Sequence, residues 1–121
     1  MPSFWITEDG YGIQVTGDRL RVTGSPCYNY QVSKTLYKEC LNLRLSGAIK
    51  NQLERASLSI CLNLAEGSGK TSKPDRKRFY SIAMGSLREV EACLDLIDDK
   101  KIIIFADRVG AMLWRLLQSP G

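Results

Sequence analysis

The chain has 121 residues, of which 44% are apolar and 25% are charged, as expected for one soluble globular domain with a single core. It contains no histidine, so a histidine general base and a Ser-His-Asp triad are excluded. The formal net charge of the chain is +4. No apolar run approaches the roughly 18 residues of a membrane span, and the first residues lack a signal-peptide pattern, so we expect a cytoplasmic protein.

Residues 1–26 are rich in β-branched and aromatic residues and are interrupted by Gly and Pro. The stretches "YGIQVT" and "RLRVT" flank Gly17 and Asp18, a two-residue connection that suits a β-hairpin, and "SFWIT" predicts a third strand. Such a small sheet is not stable alone. We therefore expect residues 1–26 to form a β-rich extension that packs on the rest of the chain or on a partner subunit.

From residue 27 onward the apolar period becomes helical. It predicts four helices, at about 28–45, 48–66, 73–99 and 105–118. The third has the clearest stripe, with steps of four and three residues: Phe79, Ala83, Ser86, Val90, Cys93 and Ile97. Ser72 is its predicted N-cap, and Pro74 suits its first turn. Because short breaks at 46–47 and 67–72 make neighbouring helices fold back, residues 27–121 are predicted to form an all-α, up-down antiparallel four-helix bundle.

Helices two and three each have a second apolar strip. The two strips are Leu58, Cys61, Leu62 and Ala65, and Tyr80, Met84, Leu87 and Leu94. A helix of an isolated bundle needs one buried face, so surplus apolar surface indicates self-association. The alternative is that a small bundle buries a broad face of each helix.

The segment "GSGKT" resembles the end of a phosphate-binding P-loop. The P-loop motif requires a glycine five residues before Gly69, where this chain has Leu64, and a strand where this chain predicts a helix. Gly67 to Gly69 are better explained as the end of one helix, with Ser72 beginning the next. A nucleotide or phosphate-ester enzyme that uses Lys70 is the least favoured of three functional hypotheses.

Charge is unevenly distributed. Residues 44–88 contain nine Lys or Arg against three acidic residues, a local charge of +6, whereas residues 89–99 have a local charge of −5. Cations around a helix start suit phosphate groups, which free backbone N–H groups and the Ser68 and Thr71 hydroxyls can also contact. The predicted nucleic-acid-binding residues are Arg55, Lys70, Lys73, Arg76, Lys77 and Arg78. The alternative is a basic face that only interacts with solvent.

No enzyme, metal or cofactor site emerges. The four cysteines form no C-x-x-C pair and are interpreted as reduced, apolar side chains. Glu89 and Glu91 are two residues apart on a helix, so their side chains diverge by about 200° and cannot share a proton. Glu66 and Asn63 are predicted to brace the turn after Gly67 by hydrogen bonds.

Residues 52–96 resemble a known family, the bacterial four-helix-bundle proteins associated with intervening sequences in 23S rRNA genes. The pattern is S-I-x-x-N-[IL]-A-E-G, then a basic turn, then R-F-x-x-I-A-x-G-S-L-x-E-x-E. The matching positions are Ser59, Ile60, Asn63, Leu64, Ala65, Glu66, Gly67, Arg78, Phe79, Ile82, Ala83, Gly85, Ser86, Leu87, Glu89 and Glu91. Residues 1–26 depart from the pattern, because relatives usually begin with a longer first helix.

The resemblance implies a cytoplasmic helical bundle that forms rings, commonly pentamers, with no established enzymatic activity. Similar proteins are accessory factors of diversity-generating retroelements, in which a basic ring is thought to engage RNA and the reverse transcriptase. By this resemblance, the bundle and ring determinants are Asn63, Glu66, Gly67, Gly85, Ser86, Glu89 and Glu91.

Together these observations predict a non-enzymatic, oligomeric four-helix bundle that binds nucleic acid, with RNA favoured, as an accessory factor. The alternative is a protein–protein scaffold, for example a partner of a reverse transcriptase, whose basic turn binds an acidic surface rather than nucleic acid.

Overall fold

The computed structural model describes residues 3–6, 12–16, 19–23 and 28–118, with side chains from residue 29 onward. The four helices are α1 (Tyr28–Leu41), α2 (Gly47–Ser68), α3 (Lys73–Leu96) and α4 (Ile102–Gln118). Each helix packs against the next, and α1 packs against α4, which closes the ring of contacts. The predicted up-down antiparallel four-helix bundle is therefore confirmed.

The N-terminal extension contains three short strands, β1 (Ser3–Ile6), β2 (Gly12–Thr16) and β3 (Arg19–Thr23). They form an antiparallel sheet in the order β1-β2-β3, in which Thr16 pairs with Arg19. This pairing leaves two residues between β2 and β3, as a hairpin requires, although Gly17 and Asp18 themselves lie outside the described residues. β3 lies close to α1 and α4, so the extension meets the bundle on that side.

The core lies on the bundle axis and takes residues from all four helices. Its largest fully buried aliphatic side chains are Val32, Leu36, Leu53, Ile60, Leu87, Val90, Leu94, Val109 and Leu113. Full burial of each such side chain contributes about 1.5–3 kcal/mol relative to exposure. The apolar stripes identified in the sequence therefore correspond to the buried faces that hold the helices together.

Several helix ends differ from the prediction. α1 ends at Leu41 rather than near residue 45, and α2 begins at Gly47, whose φ of +69° lies in the left-handed region. α3 ends at Leu96 because Asp98, with φ of +55°, interrupts the helical backbone. α4 begins at Ile102 rather than 105 because Asp99 Oδ1 accepts the backbone N–H groups of residues 101–103. These ends depend on local backbone geometry that the apolar period does not encode.

The second apolar strip of α3 is not available to another chain. Tyr80, Leu87 and Leu94 are buried in this chain's own core, so the prediction of surplus surface is wrong for α3. The broad-face alternative applies there because α3 packs against both α2 and α4. On α2 the result is mixed, since Cys61 is buried but Leu58 and Leu62 are 39% and 57% exposed.

The described cysteines Cys40, Cys61 and Cys93 are free thiols in the buried interior; Cys27 lies outside the described residues. Burial raises the pKa of Cys40 and of Cys61 to about 12. Among residues whose side chains are described, no three His, Cys, Asp or Glu groups are arranged to hold a metal ion. Nor does any described helix combine the length and the apolar character that crossing a membrane requires.

Candidate nucleic-acid interface

The turn between α2 and α3 is set by helix capping. The backbone N–H of Gly69 bonds to the carbonyl of Glu66, which ends α2. Ser72 then acts as the N-cap of α3, because its hydroxyl accepts the backbone N–H of Asp75 at 3.3 Å. Pro74 lies in the first turn of α3, where its missing N–H has no helical partner to lose. The predicted start of α3 is confirmed.

Gly67 allows α2 and α3 to approach closely beside this turn. A Cβ atom at Gly67 would lie 2.7 Å from Tyr80 Cε1, closer than such atoms can pack, and 3.1 Å from Phe79 Cβ, which is a tight contact. Gly85 differs, because a Cβ atom there would meet nothing within 4 Å. Close approach of α2 and α3 therefore depends on Gly67, whereas Gly85, which the resemblance gives as a bundle and ring determinant, has no such role within the chain.

Five of the six predicted nucleic-acid-binding residues lie together at this end of the bundle. This cluster, called the basic turn below, consists of Lys70, Lys73, Arg76, Lys77 and Arg78. Lys70 Nζ lies 5.3 Å, and Arg78 Cζ 4.9 Å, from the centre of the Phe79 ring. The aromatic face attracts both cations and holds them near one another.

Arg76 has a structural role at the basic turn in addition to its charge. Its Nη1 donates hydrogen bonds to the backbone carbonyl oxygens of Lys70 at 3.2 Å and Thr71 at 2.9 Å. The guanidinium thus braces the turn from the first helical residues of α3. Its replacement would disturb the turn as well as remove a positive charge, so Arg76 is unsuitable as a simple probe of binding.

Lys73 is the least satisfied of the five cations. Its Nζ is enclosed by surrounding atoms and has no hydrogen-bond partner among the described residues. The pKa of Lys73 is lowered, first by desolvation and then by the neighbouring positive charges of Lys77 and Arg76. An anion bound beside Lys73 would provide the missing hydrogen-bond acceptor and oppose this loss of charge.

Arg55 does not join the basic turn. It is exposed on α2, fifteen residues before Lys70, and the helical rise of 1.5 Å per residue separates the two by roughly 20 Å. A nucleic acid would have to extend along α2 to contact both. The contribution of Arg55 therefore remains a separate prediction.

Polar side chains fill the seam between α2 and α3. The hydroxyls of Ser59 and Ser86 are 2.7 Å apart, and Gln52 Nε2 donates to Glu89 at 2.8 Å. Asn63 Nδ2 donates to the Ser59 carbonyl at 2.8 Å, so the expectation that Asn63 bonds to the turn after Gly67 is wrong. The amide reaches back along its own helix because that carbonyl is one turn away.

The remaining carboxylates have structural positions. Glu91 accepts from Arg88 at 2.9 Å on the same helix, whereas Glu89 faces α2, so the two groups diverge as predicted. At Glu66 the side chain is exposed, and it is the backbone carbonyl that accepts from Gly69 at the helix end. The bracing expected of the Glu66 side chain is thus performed by its backbone.

A cavity of about 400 Å³ lies at the same end of the bundle as the basic turn. It is lined by Asn29, Tyr30, Leu64, Ala65, Ser68, Tyr80 and Leu116. These residues come from all four helices, and only Ser68 and Tyr80 are near the basic turn in sequence. The apolar period places Leu64 and Leu116 in helices but does not reveal that a space remains between them, so the sequence did not indicate the cavity.

The profile of the 23S rRNA-intervening sequence protein family matches residues 29–108, which include α1, α2, α3 and the first part of α4. The chain belongs to this family. The match confirms the resemblance noted between residues 52 and 96 and extends it to α1. The strands β1 to β3 precede the matched residues, so the family assignment concerns the bundle.

A solved structure shares the fold of this family member. It is a protein of unknown function from the S23 ribosomal protein family of Bacteroides thetaiotaomicron, 20% identical, with a TM-score of 0.60. The similarity covers 76% of this chain and 94% of the other. At this identity the likeness supports the fold alone. None of the curated proteins matches the chain.

Proposed function

We propose that this family member is a non-enzymatic, oligomeric bundle that binds nucleic acid, with RNA as the favoured ligand, through the basic turn. The observation that supports the proposal most directly is the clustering of five cations around one helix start with only Asp75 opposing them. None of the five forms an ion pair among the residues with described side chains. The charges of Lys70, Lys77 and Arg78 are thus available to an external polyanion, whereas the enclosed Lys73 Nζ would first have to turn outward.

The chemistry of the turn suits phosphate groups. Lysine and arginine contribute affinity by displacing the counterions of a nucleic acid, which makes binding salt-dependent and weakly sequence-specific. The Thr71 hydroxyl and the N-terminal backbone of α3 lie beside these cations and add neutral hydrogen-bond donors. Structured RNA, which presents phosphates from more than one direction, would engage several of these groups at once.

Exposed apolar residues support self-association. Leu58 and Leu62 lie on successive turns of α2 and Ile82 lies on α3, and all three are large side chains that remain exposed in the single chain. Gly85 has no side chain and no atom lies within 4 Å of its Cβ position, so a second molecule could approach the α3 backbone there. Together Leu58, Leu62, Ile82 and Gly85 form what we call the outer α2–α3 face, the proposed contact between copies.

Finer features of the proposal rest on the resemblance stated above. They are a ring, commonly a pentamer, a cytoplasmic location, and service as an accessory factor to a reverse transcriptase of a diversity-generating retroelement. A ring would repeat the basic turn around its axis and present several clusters to one RNA, which strengthens weak individual contacts through multivalency.

The proposal is tested by a matched pair of charge variants of the full chain. Lys73→Gln/Lys77→Gln/Arg78→Gln removes three charges from the basic turn without altering Arg76. Arg44→Gln/Lys100→Gln/Lys101→Gln removes three charges from exposed positions in the loops at the other end of the bundle. Binding to a fluorescently labelled RNA hairpin is measured by anisotropy at low salt, with circular dichroism as the folding control.

We expect the basic-turn variant to bind at least about tenfold more weakly than the wild type and the other variant to bind nearly normally. No binding by the wild type, or equal losses in both variants, would refute the assignment. Co-purification with a protein partner that survives nuclease treatment, together with no RNA affinity, would instead favour the scaffold hypothesis.

A further inference from the structure

We propose that the cavity at the basic-turn end of the bundle accommodates one unpaired nucleobase of the bound nucleic acid. This inference rests on the function proposed above and specifies its ligand: a strand with an unpaired base, rather than a continuous duplex. It is supported by the size and lining of the cavity, by an unsatisfied hydrogen-bond acceptor in its wall, and by its position relative to the cations.

The size and lining of the cavity suit a flat aromatic ring. Its volume of about 400 Å³ falls within the roughly 300–1,000 Å³ of small-molecule sites. Leu64, Ala65 and Leu116 provide apolar walls, while Tyr30 and Tyr80 provide aromatic surface. Unpaired RNA bases are commonly bound by stacking on such aromatic side chains.

One residue in the wall of the cavity has an acceptor that lacks a donor. Asn29 lines the cavity, and its Oδ1, which is enclosed rather than open to the cavity, has no hydrogen-bond partner among the described residues, so a ligand would reach it once the amide turns towards the cavity. Enclosing an acceptor without a donor is unfavourable. The exocyclic amines and ring N–H groups of nucleobases are donors of the required kind, whereas a purely aliphatic ligand would leave Asn29 unsatisfied.

The cations lie where the phosphate of such a nucleotide would be. Lys73 and Arg76 precede Tyr80 by seven and four residues on the same face of α3, which places them within roughly 10 Å of Tyr80 along the helix axis. Arg76 is near enough to Tyr80 for its charge to act on the phenol. A base beside Tyr80 would therefore keep its own phosphate close to the unpartnered Lys73 ammonium.

An unpaired base is favoured because a paired base cannot enter without leaving its helix. Extruding a base from a duplex requires the loss of its pairing and stacking, whereas a bulged base has already lost the pairing. The cavity would therefore select RNA with a bulge or a loop over a perfect duplex of the same charge. The basic turn alone would not distinguish the two, since phosphate contacts carry little sequence information.

The test uses two RNA duplexes, each annealed from two separate strands, that differ only in one bulged 2-aminopurine. The full-length wild type is compared with Ala65→Phe, which fills the cavity from its edge, and with Ala92→Phe, a matched change at an exposed alanine of α3 away from the cavity. Asn29→Leu is the second probe, because it removes the unsatisfied acceptor while leaving the cavity walls apolar. Affinity and shielding of the 2-aminopurine from acrylamide are measured together.

We expect the wild type and Ala92→Phe to bind the bulged duplex at least about fivefold more tightly than the perfect duplex, the lower end of what stacking one base contributes. Ala65→Phe and Asn29→Leu should lose most of this preference and the shielding, yet retain affinity for the perfect duplex. Equal wild-type affinity for both duplexes would overturn the cavity inference and leave the proposed function standing. No affinity for either would overturn both.

Discussion

Gly67 and Gly85 lie on facing helices, but a methyl group would have opposite effects at the two positions. At Gly67, Ala would place Cβ against the buried Tyr80 ring, so we expect Gly67→Ala to reduce the free energy of unfolding by about 1–3 kcal/mol. Urea denaturation followed by circular dichroism measures the loss. An unchanged midpoint would contradict the close approach described for α2 and α3.

Gly85→Ala is the matched comparison. Nothing lies within 4 Å of the added methyl group, and Ala is preferred over Gly inside a helix by about 1 kcal/mol, so the single chain should become more stable. If Gly85 lies in a contact between copies, the same variant should lower the mass measured by light scattering. A stable variant with unchanged mass would exclude Gly85 from the oligomer contact.

The buried thiols should make the free energy of unfolding depend on pH in the alkaline range. Because burial holds the pKa of Cys40 and Cys61 near 12, both remain protonated in the folded state at pH values where the unfolded thiols, with pKa near 9, ionise. The unfolded state then binds fewer protons, so the free energy of unfolding falls as pH rises from about 9 towards 12, at up to about 1.4 kcal/mol per pH unit for each thiol.

Urea denaturation at a series of pH values measures this slope. The double variant Cys40→Ala/Cys61→Ala is the control, since it lacks both thiols while other groups still titrate. We expect the variant to show a shallower alkaline slope than the wild type, even though its stability near neutral pH is lower because of the cavities created. Parallel slopes in the two proteins would contradict the assigned burial of the thiols.

At the scale of the helices, α4 depends on a cap that the sequence analysis did not identify. Asp99 Oδ1 accepts three backbone N–H groups at the start of α4, which would otherwise have no partner within the helix. We expect Asp99→Ala to cost about 1–2 kcal/mol in unfolding free energy, the usual range for a lost N-cap. Asp95→Ala, at an exposed position in α3, is the control and should have little effect on the urea midpoint.

The helices themselves could be predicted because their apolar residues recur at three- and four-residue steps. Residues such as Val32, Leu53 and Val90 therefore identify buried faces without any structure. The start of α3 was predicted from the capping signal at Ser72, and the start of α1 and the end of α4 were also predicted to within a residue. The ends at Leu41 and Leu96 depend on where the backbone leaves helical angles, and apolar periodicity contains no information on that point.

At the scale of the whole molecule, the sequence predicted that the cations cluster, but it did not predict the separate roles of the individual cations. Five cations within nine residues had to lie together once residues 70–78 were placed at a turn. That Arg76 braces the turn and that Lys73 Nζ lacks a partner depend on side-chain geometry that the sequence pattern does not encode, whereas the distance of Arg55 follows from the length of α2. The cavity also arises from side chains of four helices, which no local pattern relates to one another.

Cations lie at both ends of the molecule, but their surroundings differ. The basic turn has only Asp75 opposing it, whereas Asp98 and Asp99 lie beside Lys100 and Lys101 in the connection between α3 and α4 at the other end. A polyanion approaching from solvent would therefore be attracted more strongly to the basic turn, where fewer carboxylates offset the positive charge.

The salt dependence of RNA binding tests this account most directly, because it counts the phosphate contacts. The affinity of the wild type for an RNA hairpin should fall linearly on a plot of log affinity against log salt. The magnitude of this slope should be larger for the wild type than for Lys73→Gln/Lys77→Gln/Arg78→Gln by about two to three. The reason is that each lost phosphate contact reduces the magnitude by roughly 0.7–0.9. A wild-type slope near zero, or equal slopes for the two proteins, would contradict the assignment of the basic turn as the nucleic-acid-binding surface.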